Sequence, residues 1–256
     1  MIHPMDENRV KVKSLYKALK LLDYFTDSHT LWGISEVSEK EGLPKSTVHN
    51  IFSTFAVYGI LSQDPSSGKY RLGPKIAQLS NYYFASSSSI KAIRSEMEKL
   101  ASIVNENVYY GTIFEDHVLY LEAVYGTTVS RPTSLIGATA PLHCTGIGKA
   151  ILAWQSDDIV INRIAKQGLR RFTDETITSR EALISELEQI RKQGFSADNM
   201  EHELGVKCIA VPIFNTSGAL VGAMSISCPS LRMEGKEEEF ARCLTRAQQT
   251  LRSLII

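Results

Sequence analysis

The chain has 256 residues, a formal net charge of zero at pH 7, 43% hydrophobic residues and 22% charged residues. These values are typical of a soluble globular protein with one large or two ordinary domains, and they exclude an overall basic field as a sign of nucleic-acid binding. We find no signal-peptide pattern and no apolar stretch of the ~18 residues that a membrane span needs. The four widely spaced cysteines favour free thiols in a reducing cytoplasm, so a cytoplasmic protein without a membrane partner is expected.

Three helical patterns occupy the first 60 residues. Apolar residues recur at steps of three and four over 12–25 and predict a helix there. A second, short helix over 34–41 ends at Gly42, which suits the left-handed backbone that closes many helices. Pro44 fits the first turn of a third helix, which we expect to end near Tyr58.

A hairpin follows the third helix. Short strand patterns at 60–63 and 69–73 flank a turn at 64–68 that is rich in proline, serine and glycine. Three helices followed by a hairpin predict a winged helix-turn-helix domain over 10–73.

The third helix is polar at its start and apolar after it. Its first turn carries hydrogen-bonding side chains, whereas Val48, Phe52 and Phe55 belong to a stripe that faces the core. In a helix-turn-helix the N-terminal residues of the second helix contact base edges, and here the wing would contact backbone or minor groove. We therefore predict a DNA-binding site formed by Lys45, Ser46, Thr47, His49, Asn50, Lys69 and Arg71.

The local charge agrees with this prediction. Residues 42–80 hold Lys45, Lys69, Arg71 and Lys75 against Asp64 alone. A winged helix that binds protein is the alternative, and it predicts salt-sensitive DNA binding without sequence preference.

A connector and a second domain complete the chain. A helical pattern at 74–85 and the serines that follow it predict a linker helix and serine-rich connector over 74–89. Beyond it we predict strands and helices, with strands at 107–114, 118–124, 206–214 and 219–228 and helices at 90–104, 146–154, 157–166, 180–193 and 236–254. Hairpins combined with helices predict an α+β domain with an antiparallel sheet over 90–256.

Two of these strands each have one bulky face and one small, partly polar face, because side chains alternate along a strand. The small faces hold Cys208, Ala210, Ala223, Ser225 and Ser227. If the two faces coincide, the hollow between them and a nearby helix N-terminus suit a small carboxylate. A second interpretation stays open, in which the small residues let a helix pack closely.

Two other kinds of site receive little support. A zinc site from His143, Cys144, His202 and Cys208 lacks closely spaced ligands with zinc-site geometry. A thiol redox enzyme would need a lowered pKa at Cys208 and a resolving cysteine close to it in sequence. We therefore expect no catalytic residue, no metal and no resident cofactor.

Six stretches follow one another in a fixed order. The first domain has VKSLYKALKLL at 12–22, GLPKSTVH at 42–49 and GKYRLG at 68–73. The second has PLHCTGIGKAILA at 141–153, RKQGFSAD at 191–198 and EHELGVKCIAVPI at 201–213. In this ordered set the sequence resembles the isocitrate lyase regulator (IclR) family of bacterial transcription factors.

The resemblance implies a winged helix, a linker helix and a GAF-like effector domain, assembled as a dimer or a dimer of dimers. It implies binding to a pseudo-palindromic operator in double-stranded DNA, modulated by a small-molecule effector of the glyoxylate or pyruvate type, with repression as the expected sign of control. By the same resemblance, the predicted effector site comprises Gly137, Ala138, His143, Asp198, Cys208, Ser225 and Ser227.

Two positions depart from the family pattern. Many members have arginine where this chain has Lys17, and many have arginine directly after the Val-His pair, where this chain has Asn50. An amide reads a different base edge from a guanidinium. A different operator sequence is therefore expected.

Overall fold

The structure is a computed structural model that describes residues 10–26, 29–127 and 135–255, with the backbone alone at 165–167. The chain divides into two compact units, and the division falls after Ser87. Each unit has its own hydrophobic core and one of the two tryptophans, Trp32 in the first unit and Trp154 in the second.

The first unit contains helices and a two-stranded sheet. Helix α1 spans Lys13–Lys20 and continues as a 3-10 helix over Leu21–Tyr24, α2 spans Ile34–Glu41 and α3 spans Lys45–Tyr58. Strands β1 (Leu61–Gln63) and β2 (Tyr70–Leu72) pair antiparallel, and α4 spans Pro74–Ser86. This order is that of a winged helix-turn-helix, as predicted.

Buried apolar side chains hold α3 on this unit. Val48 and Phe52 have no exposed surface, and they pack in one core with Trp32 and Tyr70. The backbones of Trp32 and Tyr70 exchange two hydrogen bonds of 2.9 and 2.8 Å, which fasten the wing to the segment before α2. Gly42 adopts φ 65° and ψ 24°, the left-handed conformation expected for the turn between α2 and α3.

The second unit is built around a larger sheet. Helix α5 (Ser88–Val104) precedes β3 (Asn107–Phe114), β4 (His117–Val124), β5 (Thr139–Pro141), α6 (Gly146–Ala153) and α7 (Asp157–Gln167). The remaining elements are α8 (Arg180–Gln193), β6 (Ser196–Asn199), β7 (Val206–Phe214), β8 (Leu220–Pro229), α9 (Ser230–Met233) and α10 (Glu237–Arg252).

The six strands form one sheet in the order β5-β4-β3-β8-β7-β6, and all neighbouring pairs are antiparallel. Helix α10 packs on β7 and on α5, whereas α6 packs on β3, β6, β7 and β8, with α8 against it. The predicted α+β class with an antiparallel sheet is confirmed. Among the described residues, no helix is both long and apolar enough to span a lipid bilayer.

Three local predictions differ from the structure. The helix predicted over 12–25 is α-helical only to Lys20 and ends as a 3-10 turn. The connector predicted over 74–89 is helical except at Ser87, and the helix predicted to begin at 90 begins at Ser88, so that Ser89 lies inside it. A serine costs less than about 0.7 kcal/mol in a helix, so the packing of the neighbouring apolar residues outweighs its preference for caps and turns.

Candidate functional site

The N-terminal end of α3 presents a polar surface to solvent. The side chains of Lys45, Ser46, Thr47, His49 and Asn50 are exposed, whereas Val48 between them is fully buried. Exposed hydroxyls near a helix N-terminus suit phosphate oxygens, and an exposed amide suits a base edge. The first turn of α3 therefore has the side chains and the exposure that DNA reading requires.

The turn of the wing is organised by Asp64. Its Oδ1 accepts hydrogen bonds from the backbone N–H groups of Ser66 and Ser67, at 3.0 and 2.8 Å, and from both hydroxyls. These donors, with the Ser66 hydroxyl first among them, hold the pKa of the Asp64 carboxyl well below its usual range. Arg71 of β2 stays exposed beyond this turn.

Lys69, the other predicted wing contact, already has a partner. Its Nζ lies 2.6 Å from Oε1 of Glu36, and the side chains are 37% and 42% exposed. The second oxygen of Glu36 accepts the N–H of Gly33 at 2.7 Å, which caps α2. The hydrogen bond from Lys69, followed by the one from Gly33, lowers the pKa of Glu36. Lys69 thus begins in an ion pair that DNA would have to displace.

In the second unit, the strand register brings the small faces of β7 and β8 together. Cys208 lies directly opposite Ser227, and Ala210 lies opposite Ser225. Side chains of directly opposite residues lie on the same face of a sheet. Asp198 of β6 lies opposite Cys208 on its other side and joins this face.

Part of this face is a surface for close helix packing. A Cβ added at Gly146, the first residue of α6, would lie 3.3 Å from the Cβ of Cys208 and 3.4 Å from the Cβ of Ala210. The close-packing interpretation therefore applies to Ala210 and to one side of Cys208. The polar side chains of Asp198, Cys208 and Ser227 lie beside this contact on β6, β7 and β8, and those of Cys208 and Ser227 are hydrogen-bonded to each other.

Three tyrosines extend the same face across β3 and the end of β4. Tyr109 lies opposite Ser225, and the rings of Tyr120 and Tyr125 stand edge-on to its ring at 5.8 and 6.3 Å. Burial raises the pKa of Tyr109 and of Tyr120. The hydroxyl of Tyr125 is buried and has no hydrogen-bond partner among the described residues, so it is available to a ligand or to water.

Asp198 is the buried acid of this cluster. It is 4% exposed, and its Oδ1 accepts the N–H of Glu201 at 2.8 Å. Burial, the largest cause, and the charge of Glu201 raise the pKa of Asp198, backbone donors and Lys149 oppose the shift, and the net pKa is about 7. The carboxyl is thus poised between its charged and neutral forms at physiological pH.

The other predicted effector residues are Gly137, Ala138 and His143. The N–H of Gly137 donates to the carbonyl of Tyr120 at 2.9 Å, and the carbonyl of Ala138 accepts the N–H of Tyr120 at 3.1 Å. His143 is buried with its Nε2 3.0 Å from the carbonyl oxygen of Arg170, and burial lowers its pKa. The glycine segment therefore borders the tyrosines, whereas one nitrogen of His143 is engaged by a backbone carbonyl.

A buried ion triad adjoins Asp198. Lys149 of α6 has a side chain only 1% exposed, and its Nζ lies 2.5 Å from Oε1 of Glu201 and 2.9 Å from Oε1 of Glu186. The second carboxylate oxygen of Glu201 is buried without a partner among the described residues. Because the N–H of Glu201 also binds Asp198, the triad and the acid are joined through one residue.

Neither the tyrosines nor the ion triad was predicted from the sequence, although both had a signal there. Lys149 is a charged residue inside the otherwise apolar run of α6, and a charge in such a run requires a partner. Tyr109 lies in a predicted strand, where side chains alternate between the two faces of the sheet. The face on which Tyr109 lies could therefore be assigned once the strand order was known.

Cys144 and Cys208, the cysteines closest to this face, have the properties of unreactive thiols. Both are free, Cys144 is buried and Cys208 is partly buried, and desolvation raises the pKa of both, with the charge of Asp198 as the next cause. A thiol held in its protonated form is a poor nucleophile, so redox chemistry at Cys208 has no support in this geometry. Across the described ranges, no three His, Cys, Asp or Glu side chains form a group that would hold a metal ion.

A winged helix with an exposed polar helix end, followed by an α+β unit with a buried polar cluster, is the architecture typical of ligand-responsive DNA-binding transcription regulators. The family described as the bacterial transcriptional regulator IclR C-terminal domain matches residues 83–253, and the IclR helix-turn-helix domain matches 14–65. The chain belongs to the IclR family of bacterial transcription regulators.

Known relatives extend over nearly the whole chain. The HTH-type transcriptional regulator KdgR of Escherichia coli K12 is 33% identical over 96% of this chain and 94% of that protein. The transcriptional repressor IclR of the same organism is 30% identical over 93% of this chain and 88% of that protein. A solved IclR homologue from Microbacterium hydrocarbonoxydans, complexed with 4-hydroxybenzoate, shares the fold with a TM-score of 0.79 at 23% identity, covering 93% of this chain and 97% of that one.

Proposed function

We propose that the chain is a sequence-specific transcription repressor whose operator binding is modulated by a small organic acid held in its second unit. One observation carries the proposal. The same chain has an exposed polar reading end on α3 and a buried face on which Asp198, Cys208 and Ser227 lie side by side. A surface suited to DNA and a buried polar cluster suited to a ligand are the two parts that a ligand-controlled regulator needs.

In this proposal, different residues of α3 have different tasks. Asn50 pairs with an adenine edge, and His49 donates to guanine or to phosphate. Ser46, Thr47 and Lys45 hold phosphates and thereby fix the register of the helix on the duplex. Arg71 meets the backbone or the minor groove beside the wing.

Exposed apolar side chains of the first unit support a homodimer, or a dimer of dimers. No residue of α1 is buried, and Leu15 and Leu19 are 55% and 45% exposed. Tyr82 and Tyr83 of α4 are 57% and 52% exposed. A second copy that covers these side chains would let two α3 helices enter successive major grooves, about 34 Å apart, on a pseudo-palindromic operator.

The effector class follows from the groups on the buried face. Ser225 and Ser227 carry hydroxyls, and Tyr125 has a buried hydroxyl without a partner among the described residues. Several hydroxyl donors around one site suit the oxygens of a carboxylate. The benzoate complex of the Microbacterium homologue is a carboxylate complex in the same fold and supports this choice.

Effector binding is proposed to shift the balance between DNA-competent and DNA-incompetent arrangements, a coupling of typically ~1–3 kcal/mol. The segment 74–89 is our candidate for the element that transmits it. The repressor sign is supported by the name of the relative IclR. A regulator of bacterial operators acts in the cytoplasm, where the chromosome lies.

Selection of bound duplexes from a genomic DNA pool at physiological salt tests the proposal. One inverted-repeat motif is expected, and a panel of small carboxylates, including glyoxylate, pyruvate and 4-hydroxybenzoate, is then screened for release of that motif. Motif-free, salt-sensitive binding with and without the panel would instead favour a winged helix that binds protein.

A further inference from the structure

The buried face has an unusual charge balance around Asp198. The titratable and charged groups that act on it come from several elements, and they are Tyr120, Cys144, Lys149, Glu201, His202 and Cys208. The cation of this set, Lys149, is bound to both Glu186 and Glu201. When Lys149, Glu186, Glu201 and Asp198 are all ionised, one ammonium faces three carboxylates. The cluster then carries two net negative charges.

The other polar groups of the face do not change this balance. Burial lowers the pKa of His202, which therefore favours its neutral form. Burial raises the pKa of Tyr120 and of the thiols of Cys144 and Cys208, so these groups also stay neutral at physiological pH. A carboxylate ligand would thus add a third negative charge to a region from which water is largely removed, and this opposes its binding.

Protonation of Asp198 offsets the added charge and returns the region to two net negative charges. Asp198 is 4% exposed, its Oδ1 accepts the N–H of Glu201, and the backbone of His202 also donates to its carboxyl group. A carboxylate has about four lone-pair sites, so these donors leave room for an added proton. A carboxylic acid can donate that proton in a hydrogen bond to a ligand carboxylate, whereas a carboxylate can only repel it. Burial also raises the pKa of Glu201, but the ammonium of Lys149, 2.5 Å from its Oε1, favours the charged form of that carboxylate, so Glu201 is less suited than Asp198.

We propose that the site takes up one proton from solvent with each carboxylate ligand, and that Asp198 carries it. The proposal rests on the proposed function in one respect, namely that the buried face is where the ligand binds. The ligand stays a carboxylate, the Asp198 carboxylate becomes a carboxylic acid, and no other bond changes. Regulation by such a ligand is therefore coupled to pH.

A neutral, hydroxyl-bearing ligand is the competing occupant. Its hydroxyl would donate to the charged carboxylate of Asp198, and its binding would release a proton or leave protonation unchanged. Only the carboxylate is therefore expected to bind together with a proton from solvent, and a matched pair of small probes separates the two occupants.

The experiment uses the full-length protein labelled with 13C at the aspartate carboxyl carbons, with acetate as the charged probe and acetamide as its neutral counterpart. Asp198→Asn identifies the Asp198 signal by its disappearance. We expect that saturating acetate raises the titration midpoint of Asp198 by at least one pH unit and that acetamide does not. We also expect acetate affinity to fall about tenfold per pH unit above the ligand-free midpoint.

Two variants sharpen the result. Asp198→Asn is expected to bind acetate with little dependence on pH, whereas Asp174→Asn, a fully exposed control, is expected to keep the wild-type slope. An Asp198 midpoint that acetate leaves unchanged, or a slope that survives in Asp198→Asn, overturns the proposal. The proposed function is judged separately by operator selection and release, so either idea can fail without the other.

Discussion

The ammonium of Lys149 lies 2.5 Å from a carboxylate oxygen of Glu201, and the two side chains are only 1% and 5% exposed. Glu186 supplies a second carboxylate at 2.9 Å. Lys149→Met would leave these carboxylates near each other without their cation. We therefore expect a loss of about 3–5 kcal/mol in the free energy of unfolding, measured by urea denaturation.

Lys192→Met is the matched control for that measurement, because Lys192 is an exposed residue of α8. Its effect is expected to stay within about 0.5 kcal/mol. A loss below 1 kcal/mol for Lys149→Met would mean that the carboxylates simply take up protons and that the triad is not needed for folding.

Asn50→Ala tests base reading by α3. Because an amide pairs with one base edge, the variant is expected to lose about 1–3 kcal/mol of discrimination at one operator position and to keep its preference elsewhere. Binding to a set of singly substituted operators measures this. Ser46→Ala, a proposed phosphate contact, serves as comparison and should weaken all sequences alike; the same uniform loss for Asn50→Ala would assign Asn50 to phosphate.

Glu36→Gln tests the ion pair that holds Lys69. Glutamine can still accept the Gly33 N–H and cap α2, but it no longer binds the ammonium as a charge. Lys69 is then expected to reach phosphate more readily, so DNA affinity rises severalfold. The slope of log K against log salt concentration is expected to become steeper by up to about one. An unchanged salt slope in Glu36→Gln would show that Lys69 makes no phosphate contact.

Ser227→Leu tests the ligand site. The larger side chain opposite Cys208 fills the polar part of the face, so we expect operator affinity to persist and effector-induced release to be lost. Gel-shift titrations with the effector found in the panel give both quantities. Ser227→Ala removes the hydroxyl without adding volume and should weaken the response only partly; a full response in Ser227→Leu would remove this face from the effector site.

The pH dependence of stability provides a test of Asp198 without any ligand. The folded-state pKa of about 7 lies above the ordinary value of 3.8, so the folded protein binds this proton more tightly than the unfolded chain. The stabilisation is complete below about pH 4 and is lost as pH rises to about 7. Relative to Asp198→Asn, the wild type should lose up to about 1.4 kcal/mol per pH unit across this window. Parallel stability curves would show that Asp198 has an ordinary pKa.

Periodicity was sufficient for most of the fold. The helices at 34–41 and 180–193 begin and end as predicted. Their ends were predictable because each is followed by a glycine in the left-handed conformation, Gly42 and Gly194. The edge strands β5 and β6 escaped detection, since three or four residues are too few to show alternation.

The candidate site was predictable only in part. Alternation placed Cys208, Ser225 and Ser227 on small faces, and the register then aligned those faces. Two features depend on contacts between residues far apart in the chain. They are the choice of the sheet face that α6 covers and the position of Tyr125 beside Tyr109. A pattern within one strand has no information about such contacts, which is also why the partners of Lys149 were not foreseen.

Each unit holds one tryptophan in its core, and this gives the intact protein two separate optical reporters. Trp32 stands edge-on to Tyr24 at a ring distance of 4.9 Å, and Trp154 stands edge-on to Phe214 at 6.1 Å. Replacing Trp154 by phenylalanine leaves emission from the winged helix alone, and replacing Trp32 leaves emission from the sheet unit alone. Fluorescence can then show which half of the uncut chain melts first and which half a bound metabolite protects.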